Sequence, residues 1–177
     1  QLVSLPCGFG FTANAGSAQS KGFELEVHAR PLPYLDLAGG VGYSHAVLTG
    51  AGSTSPQQPG DRVNQVPDWT GNASVTYTRM LGAGVKSTMN VSYAYVGESL
   101  SANNSPTSPR VRPSYQLVDA RFAFSRDGYE LALFAKNLAN EHANLADNRS
   151  IAAELPGRPR IVTNQPRTIG LELRARF

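Results

Sequence analysis

The sequence predicts an all-β fold: an antiparallel transmembrane β-barrel, of which this chain supplies about eight strands. Three observations predict it. Apolar and polar residues alternate with a period of two in one segment after another. The connections between those segments are by turns short and long. No apolar run approaches the roughly 20 residues that a membrane-spanning helix requires. Side chains point to opposite faces along a strand, so a period of two describes a ribbon with one apolar and one polar face.

The elements follow in order. Residues 1–5 read as the outer end of a strand that begins upstream. In 21–31, Phe23, Leu25, Val27 and Ala29 oppose Gly22, Glu24, Glu26, His28 and Arg30. In 35–47, Leu35, Leu37, Val41 and Tyr43 oppose Asp36, Ala38, Gly40, Gly42 and Ser44. Residues 69–77 set Trp69, Ala73, Val75 and Tyr77 against Thr70, Asn72, Ser74 and Thr76. Residues 85–95 set Met89, Val91, Tyr93 and Tyr95 against Lys86, Thr88, Asn90 and Ser92. In 115–124, Val118, Ala120, Phe122 and Phe124 oppose Asp119 and Arg121. Residues 129–136 are less clean, because Phe134 falls on the side of Glu130 and Lys136. In 168–177, Ile169, Leu171, Leu173, Ala175 and Phe177 oppose Thr168, Gly170, Glu172, Arg174 and Arg176. Segments of about 10–13 residues suit tilted membrane strands and exceed the roughly 5–6 usual in soluble sheets.

Tight turns are expected around 31–33, 82–84 and 126–128, and long Gly/Pro/Asn/Ser-rich connections at 50–67, 98–113 and 141–166. Short periplasmic turns alternating with long extracellular loops are the habit of up-and-down membrane barrels. Soluble compact domains seldom carry several loops of that length. If residue 177 ends in the periplasm, counting back through the strands puts every short turn on the periplasmic side. A half strand at residues 1–5 would leave an open edge in lipid, so the sequence reads as part of a larger barrel rather than a complete small one.

Composition narrows the function. Of the 177 residues 41% are hydrophobic and only 16% charged, below the roughly 25% charge of soluble domains. A net charge of +3 with no Lys/Arg run gives no footprint for nucleic acid. Cys7 is the single cysteine, which rules out a disulfide framework within the chain and a multi-cysteine zinc site. The chain opens on Gln1 with neither start Met nor signal peptide, as expected of a mature or truncated chain. His28, His45 and His142 lack metal-ligand spacing, and no nucleophile elbow, phosphate loop, zinc motif or cofactor motif appears.

Several stretches together resemble the TonB-dependent receptors of Gram-negative bacteria. Asn14-Ala15-Gly16-Ser17-Ala18 followed by Ser20-Lys21-Gly22-Phe23-Glu24-Leu25-Glu26 resembles a segment of that family. So do Val66-Pro67-Asp68-Trp69-Thr70, at the entry into a strand, and Phe134-Ala135-Lys136-Asn137-Leu138-Ala139-Asn140-Glu141 in the penultimate strand. Pro166-Arg167-Thr168-Ile169-Gly170, leading to Arg176-Phe177, resembles its closing strand. The resemblance implies an outer-membrane barrel of about 22 strands around a plug. It implies active uptake of a scarce ligand, a ferric siderophore by default, with energy delivered to the plug through TonB. Neither plug nor TonB-binding segment is seen, so residues 1–177 are expected to be the C-terminal portion of the barrel.

Candidate sites follow from this frame. Arg62, Arg110, Arg112, Arg149, Arg158 and Arg160 fall in the outer loops, where guanidinium groups suit an anionic ferric chelate, lipopolysaccharide or plain solvation. Glu24, Glu26, Asp36, Asp119, Arg121, Glu130, Lys136, Glu172 and Arg174 are expected on the lumen side, facing a plug or water. Tyr34, Trp69, Tyr77, Tyr93, Tyr95, Tyr115 and Tyr129 suit interfacial aromatic girdles beside outer-membrane lipid. Ile169, Leu171, Leu173 and Phe177 resemble the C-terminal signal read by the barrel-assembly machinery. Two other readings stand beside transport: a self-contained small barrel acting as anchor or adhesin, and an outer-membrane hydrolase using His45 or His142.

Overall fold

The computed structural model describes residues 2–4, 10–12, 16–51, 57–101, 110–148 and 160–176, and every regular element among them is a strand. In chain order these are β1 (Leu2–Ser4), β2 (Gly10–Thr12), β3 (Gly16–Leu32), β4 (Leu35–Ala51), β5 (Trp69–Gly82), β6 (Val85–Val96) and β7 (Ser99–Leu100). They continue as β8 (Val111–Arg112), β9 (Tyr115–Arg126), β10 (Tyr129–Lys136), β11 (Asn144–Asn148), β12 (Arg160–Thr163) and β13 (Thr168–Ala175). Seven of them form one antiparallel sheet in the order β13-β10-β9-β6-β5-β4-β3. These are the seven alternating segments, joined as a meander in which each strand pairs with its neighbour along the chain.

Leu2–Ser4 departs from the expectation set out for residues 1–5. Leu2–Ser4 pairs with Gly10–Thr12 in a ribbon of its own and adds no strand to the large sheet. Pairing between segments so close in sequence costs little chain entropy, which favours the local partner. The outer connections also hold more order than their composition suggests. β7 pairs with β8 and β11 with β12, in ribbons too short to leave a period in the sequence.

Length and turns set the geometry. β3 and β4 run 17 residues each, against the roughly 9–11 needed to cross a bilayer core, so the ends of these two strands away from their turn stand beyond the membrane at the long-loop end. The short turns fall at 33–34, 83–84 and 127–128, all at the opposite end. Ala83 and Gly84 have φ of 48° and 75°, and Asp127 and Gly128 have 48° and 83°. Two consecutive left-handed residues make the primed turn whose twist matches a hairpin, and Asp-Gly is a favoured pair for it.

Register keeps the two faces separate across the whole sheet. One rung runs Leu171–Leu133–Phe122–Met89–Tyr77–Leu35, and another Ile169–Ala135–Ala120–Val91–Val75–Leu37–Ala29. On the other face lies Gly170–Phe134–Arg121–Asn90–Thr76–Asp36. The apolar face is exposed: Phe23, Leu25, Val27, Leu131, Leu133, Ile169, Leu171 and Leu173 are each at least half accessible. An apolar face of this breadth without cover is what hydrocarbon demands and water forbids.

The less clean strand has a local cause. Phe134 stands on the polar face and lies over Gly170 of the next strand, where a Cβ would come within 2.6 Å of its ring. The ring fills the space left by the glycine, as aromatics do beside glycine in sheets. Tyr115 also departs from expectation. It shares a rung with Val96 and Thr70 and so belongs to the polar face, away from the girdle. Tyr34 and Tyr77 meet edge to face at the short-turn end, while Phe23, Tyr43 and Trp69 cluster towards the long-loop end.

Two of the family-like motifs now have physical explanations. Gly22 lies opposite Ser44, and a Cβ there would sit 1.9 Å from the Tyr43 carbonyl oxygen. Asn137 is 4% exposed with φ 52°. Its amide N–H donates to Asp119 Oδ1 at 2.8 Å, and its Oδ1 accepts the Glu141 N–H at 2.8 Å. Its Nδ2 donates to the carbonyls of Glu141 and Gln165, both at 2.9 Å. Nearby, Asn140 Oδ1 accepts the Arg167 N–H and Asn164 Oδ1 accepts the Ala143 N–H. Three asparagines thus fasten both ends of the third long connection to the wall.

Substitution at these positions is expected to read out in urea unfolding of the intact protein refolded in lipid vesicles. Gly22→Ala should cost ~2–3 kcal/mol, because the clash is with backbone and not with a movable side chain. Asn137→Gly should cost ~2–3 kcal/mol through lost buried hydrogen bonds. Asn137→Ala should cost about 1 kcal/mol more than that, for the left-handed backbone.

Candidate functional site

The long-loop end is built from the three connections that follow β4, β6 and β10. The first folds back on its own strand. Leu48 N–H donates to the Asp61 carbonyl and Val63 N–H to the Ala46 carbonyl, both at 2.9 Å, and Val47 bridges Arg62. The Arg62 guanidinium then lies 3.1 Å from Asp68 Oδ2 and 3.8 Å from Glu98. Asp68 belongs to the Val66-Pro67-Asp68-Trp69 segment, so this motif supplies the carboxylate that returns the loop to the wall. The same Asp68 has His45 at 3.8 Å.

The second and third connections are joined to each other. Ser101, 1% exposed, hydrogen-bonds Asp147, 6% exposed, on β11. Arg110 lies 3.9 Å from the same carboxylate. Arg112 on β8 donates its Nη2 to the Asn144 carbonyl at 3.0 Å and also to the Leu145 carbonyl. Gln65 N–H donates to the Leu100 carbonyl at 2.8 Å, which ties the first connection to the second. The result is one hydrogen-bonded layer across the end of the sheet. Exposed ion pairs contribute little, but a carboxylate this buried needs its partners in place.

The sequence-predicted arginines therefore separate. Arg62, Arg110 and Arg112 are part-buried and hold loops together. Arg160 is exposed on β12, opposite Asn148. Arg149 and Arg158 lie outside the described residues, as do Cys7 and Phe177. The partners of the tethering arginines, namely Asp68, Glu98, Ser101 and Asp147, escaped sequence reasoning. Only Asp68 carried a signal, its place in a motif. His45 is on the apolar-face side of β4 and His142 is exposed in the third connection. Among the described residues no group of His, Cys, Asp or Glu is placed to hold a metal ion.

The polar face has its own charged cluster nearer the short-turn end. Arg121 on β9 reaches Glu130 on β10 at 2.7 Å and Glu172 on β13 at 3.3 Å. Arg174 lies beside Glu172 and 4.0 Å from Glu130. Two cations and two carboxylates alternate across three strands. Asp36 pairs with Arg30 at 3.5 Å beside the first short turn. Glu24, Glu26, Asp119 and Lys136 share this face by register, as predicted. Asn90 donates to Thr76 Oγ1 at 2.8 Å near its centre. The face is polar and charged, and Asp36, Arg121, Glu130, Glu172 and Arg174 are ion-paired within the wall.

Residues 1–138 match the family model described as TonB dependent receptor-like, beta-barrel. The ferric yersiniabactin uptake receptor FyuA from Yersinia pestis is similar in structure, with a TM-score of 0.76 and 19% identity over 93% of this chain. The siderophore receptor PiuA from Acinetobacter baumannii gives 0.71 and 18% identity over 98% of this chain. BauA, the ferric preacinetobactin receptor from the same organism, gives 0.66 and 18% over 97%. The chain spans 24% of the length of each. With the family model matched over most of its length, this chain belongs to the TonB-dependent receptor family of Gram-negative outer-membrane β-barrels.

Proposed function

We propose that residues 1–177 are a C-terminal portion of the barrel wall of a receptor that takes up a scarce ligand, a ferric siderophore, with energy supplied through TonB. The carrying observation is the division of the sheet into a broad lipid-compatible face, a charged inner face and a loop layer confined to one end. Family membership supports the reading, and the names of the similar structures supply the ligand class. The long-loop end faces outside and collects the ligand. The polar face lines a lumen that opens when TonB pulls on a plug formed by other residues of the receptor.

Within that mechanism the loop arginines divide their work. Arg62, Arg110 and Arg112 keep the outer layer in shape, so an anionic chelate meets a preformed surface. Arg160, exposed on its short ribbon, is the described arginine best placed to contact the ligand, with Arg149 and Arg158 as companions from the same connection. On the closing strand, Ile169, Leu171 and Leu173 are 64%, 73% and 76% exposed, a continuous apolar stripe at a sheet edge. Together with Phe177, it is what the assembly machinery would read.

Uptake is tested with radiolabelled ferric siderophores in iron-starved cells carrying or lacking the intact receptor. Loss of uptake of one siderophore without the receptor, and equal loss without TonB, is expected. Unchanged uptake of every siderophore class would defeat the ligand assignment. In the same assay Arg160→Ala should raise the half-saturating concentration ~5–10-fold, the effect of about 1–1.4 kcal/mol. Leu171→Glu with Leu173→Glu should cut the amount of folded receptor in the outer membrane several-fold, scored by heat-modifiable migration. Correct assembly of that double variant would show that the stripe is not read.

A further inference from the structure

Towards the short turns the polar face ends in a recess. Register lays one rung of it across five strands, Met80–Lys86–Ser125–Glu130–Arg174. Arg176 stands two residues further on, and Gly84, Asp127 and Gly128 of the two turns complete the lining. The volume is about 380 Å³, within the roughly 300–1,000 Å³ of small-molecule sites. Its frame is held in place. The Arg176 N–H donates to the Gly128 carbonyl at 2.9 Å, and Glu130 is held by Arg121 at 2.7 Å.

The charge of this recess is unbalanced. Four cations and two carboxylates line it. Arg126 is matched to Asp127 at 3.0 Å, and Arg174 shares Glu130 and Glu172 with Arg121. Lys86 and Arg176 are left over. Among the described residues neither has a carboxylate within ion-pair distance. An ammonium and a guanidinium can only donate, and the Ser125 hydroxyl beside them can donate too. Together they call for charged oxygen acceptors, and the guanidinium fork fits carboxylate or phosphate.

We infer that this recess binds a small oxyanion of two or more negative charges, a polycarboxylate or a phosphate, between Lys86 and Arg176. The site itself follows from the lining; its place at the periplasmic mouth of the lumen rests on the orientation given under the proposed function. Two sources there carry this chemistry, the anionic chelate as it leaves the lumen and a free periplasmic anion. For a departing chelate the recess is a foothold between lumen and periplasm. For a free anion it is a site filled independently of transport.

The test is isothermal titration calorimetry of the intact receptor in mild detergent at low ionic strength, with citrate and inorganic phosphate as probes. At least one probe should bind the unsubstituted receptor. Lys86→Gln and Arg176→Gln should each weaken that binding several-fold, and added salt should weaken it as well. Lys21→Gln, which removes a cation at the long-loop end, should leave it unchanged. Heat-modifiable migration checks that each variant is folded; were Arg176→Gln to assemble poorly, Lys86→Gln alone decides. Failure of both probes to bind, or equal binding by the receptor and a folded Lys86→Gln variant, overturns the site. The first result is also the one expected if another part of the receptor fills the recess. Siderophore uptake by cells carrying the same variants assigns the source. Lower maximal uptake at an unchanged half-saturating concentration marks the departing chelate, and unchanged uptake marks a free anion. Absent uptake by the unsubstituted receptor, alongside variant-sensitive probe binding, removes the transport assignment and leaves the site.

Discussion

Inside a bilayer no water is available to satisfy a backbone N–H or C=O, so every strand must find both of its neighbours within the protein. The rest of this structure depends on that constraint. Register runs without interruption through the middle of the large sheet, and its irregularities fall at the ends, between Ser17 and Ala18, Ala29 and Leu32, and Met80 and Gly82. Bulges disrupt a ladder locally and are affordable only where water or a turn can compensate. The five inner strands are paired on both sides, and β3 and β13 form the sheet's two edges within this chain. An exposed apolar edge invites pairing with another strand, which in a barrel is the closure that seals the wall.

Much of this was legible because the constraint is periodic. With backbone pairing fixed, one residue of slip exchanges lipid face for lumen face, so selection writes the register into alternate positions. Phe122, Phe124, Ile169, Leu171 and Leu173 could therefore be placed from spacing alone, as could Arg121 and Glu172 opposite them. The turns were legible for a second reason: Asp127-Gly128 supplies the left-handed backbone that a tight hairpin needs. Phe134 blurred its strand because its location answers to a partner, Gly170, some 36 positions away in the sequence. Tyr115 misled because an aromatic near a strand end has the same composition whichever face it takes.

The outer layer was much less legible, and the physics explains that as well. Its ribbons, β7 with β8 and β11 with β12, are too short for a period to declare itself. Ser101, Arg110 and Asp147 meet through contacts between loops, and nothing in the neighbourhood of any one of them announces the other two. Arginine content suggested a ligand surface, yet three of the candidates spend their guanidinium groups on carboxylates and carbonyls of the protein itself. A long cationic side chain can span from one loop to the next, and its fork fits carbonyl pairs as well as it fits an anion. Counting cations in a loop thus measures its capacity to be held as much as its capacity to bind.

These two regimes meet where wall becomes loop, and the motifs that looked family-like concentrate there. Gly22 permits the close approach of β3 to the backbone of β4 on the extended hairpin. Asp68 anchors the returning first connection one residue before β5 begins. Asn137 closes β10 and at once bonds to β9, to Glu141 and to the segment leading into β13. Asp68 and Asn137 stand where ladder hydrogen bonds cease and a side chain must take over, and Gly22 lies in the β3–β4 ladder beside the point where the β4–β5 ladder ends. Lipid chemistry enforces alternation in general and tolerates many residues at each lipid-facing position. Handing over from ladder to loop admits few solutions, because a buried amide must be met by a group of fixed length and direction. That difference in tolerance explains why the wall of this barrel is recognised by its pattern, while its membership in a family is recognised by a handful of residues at the rim.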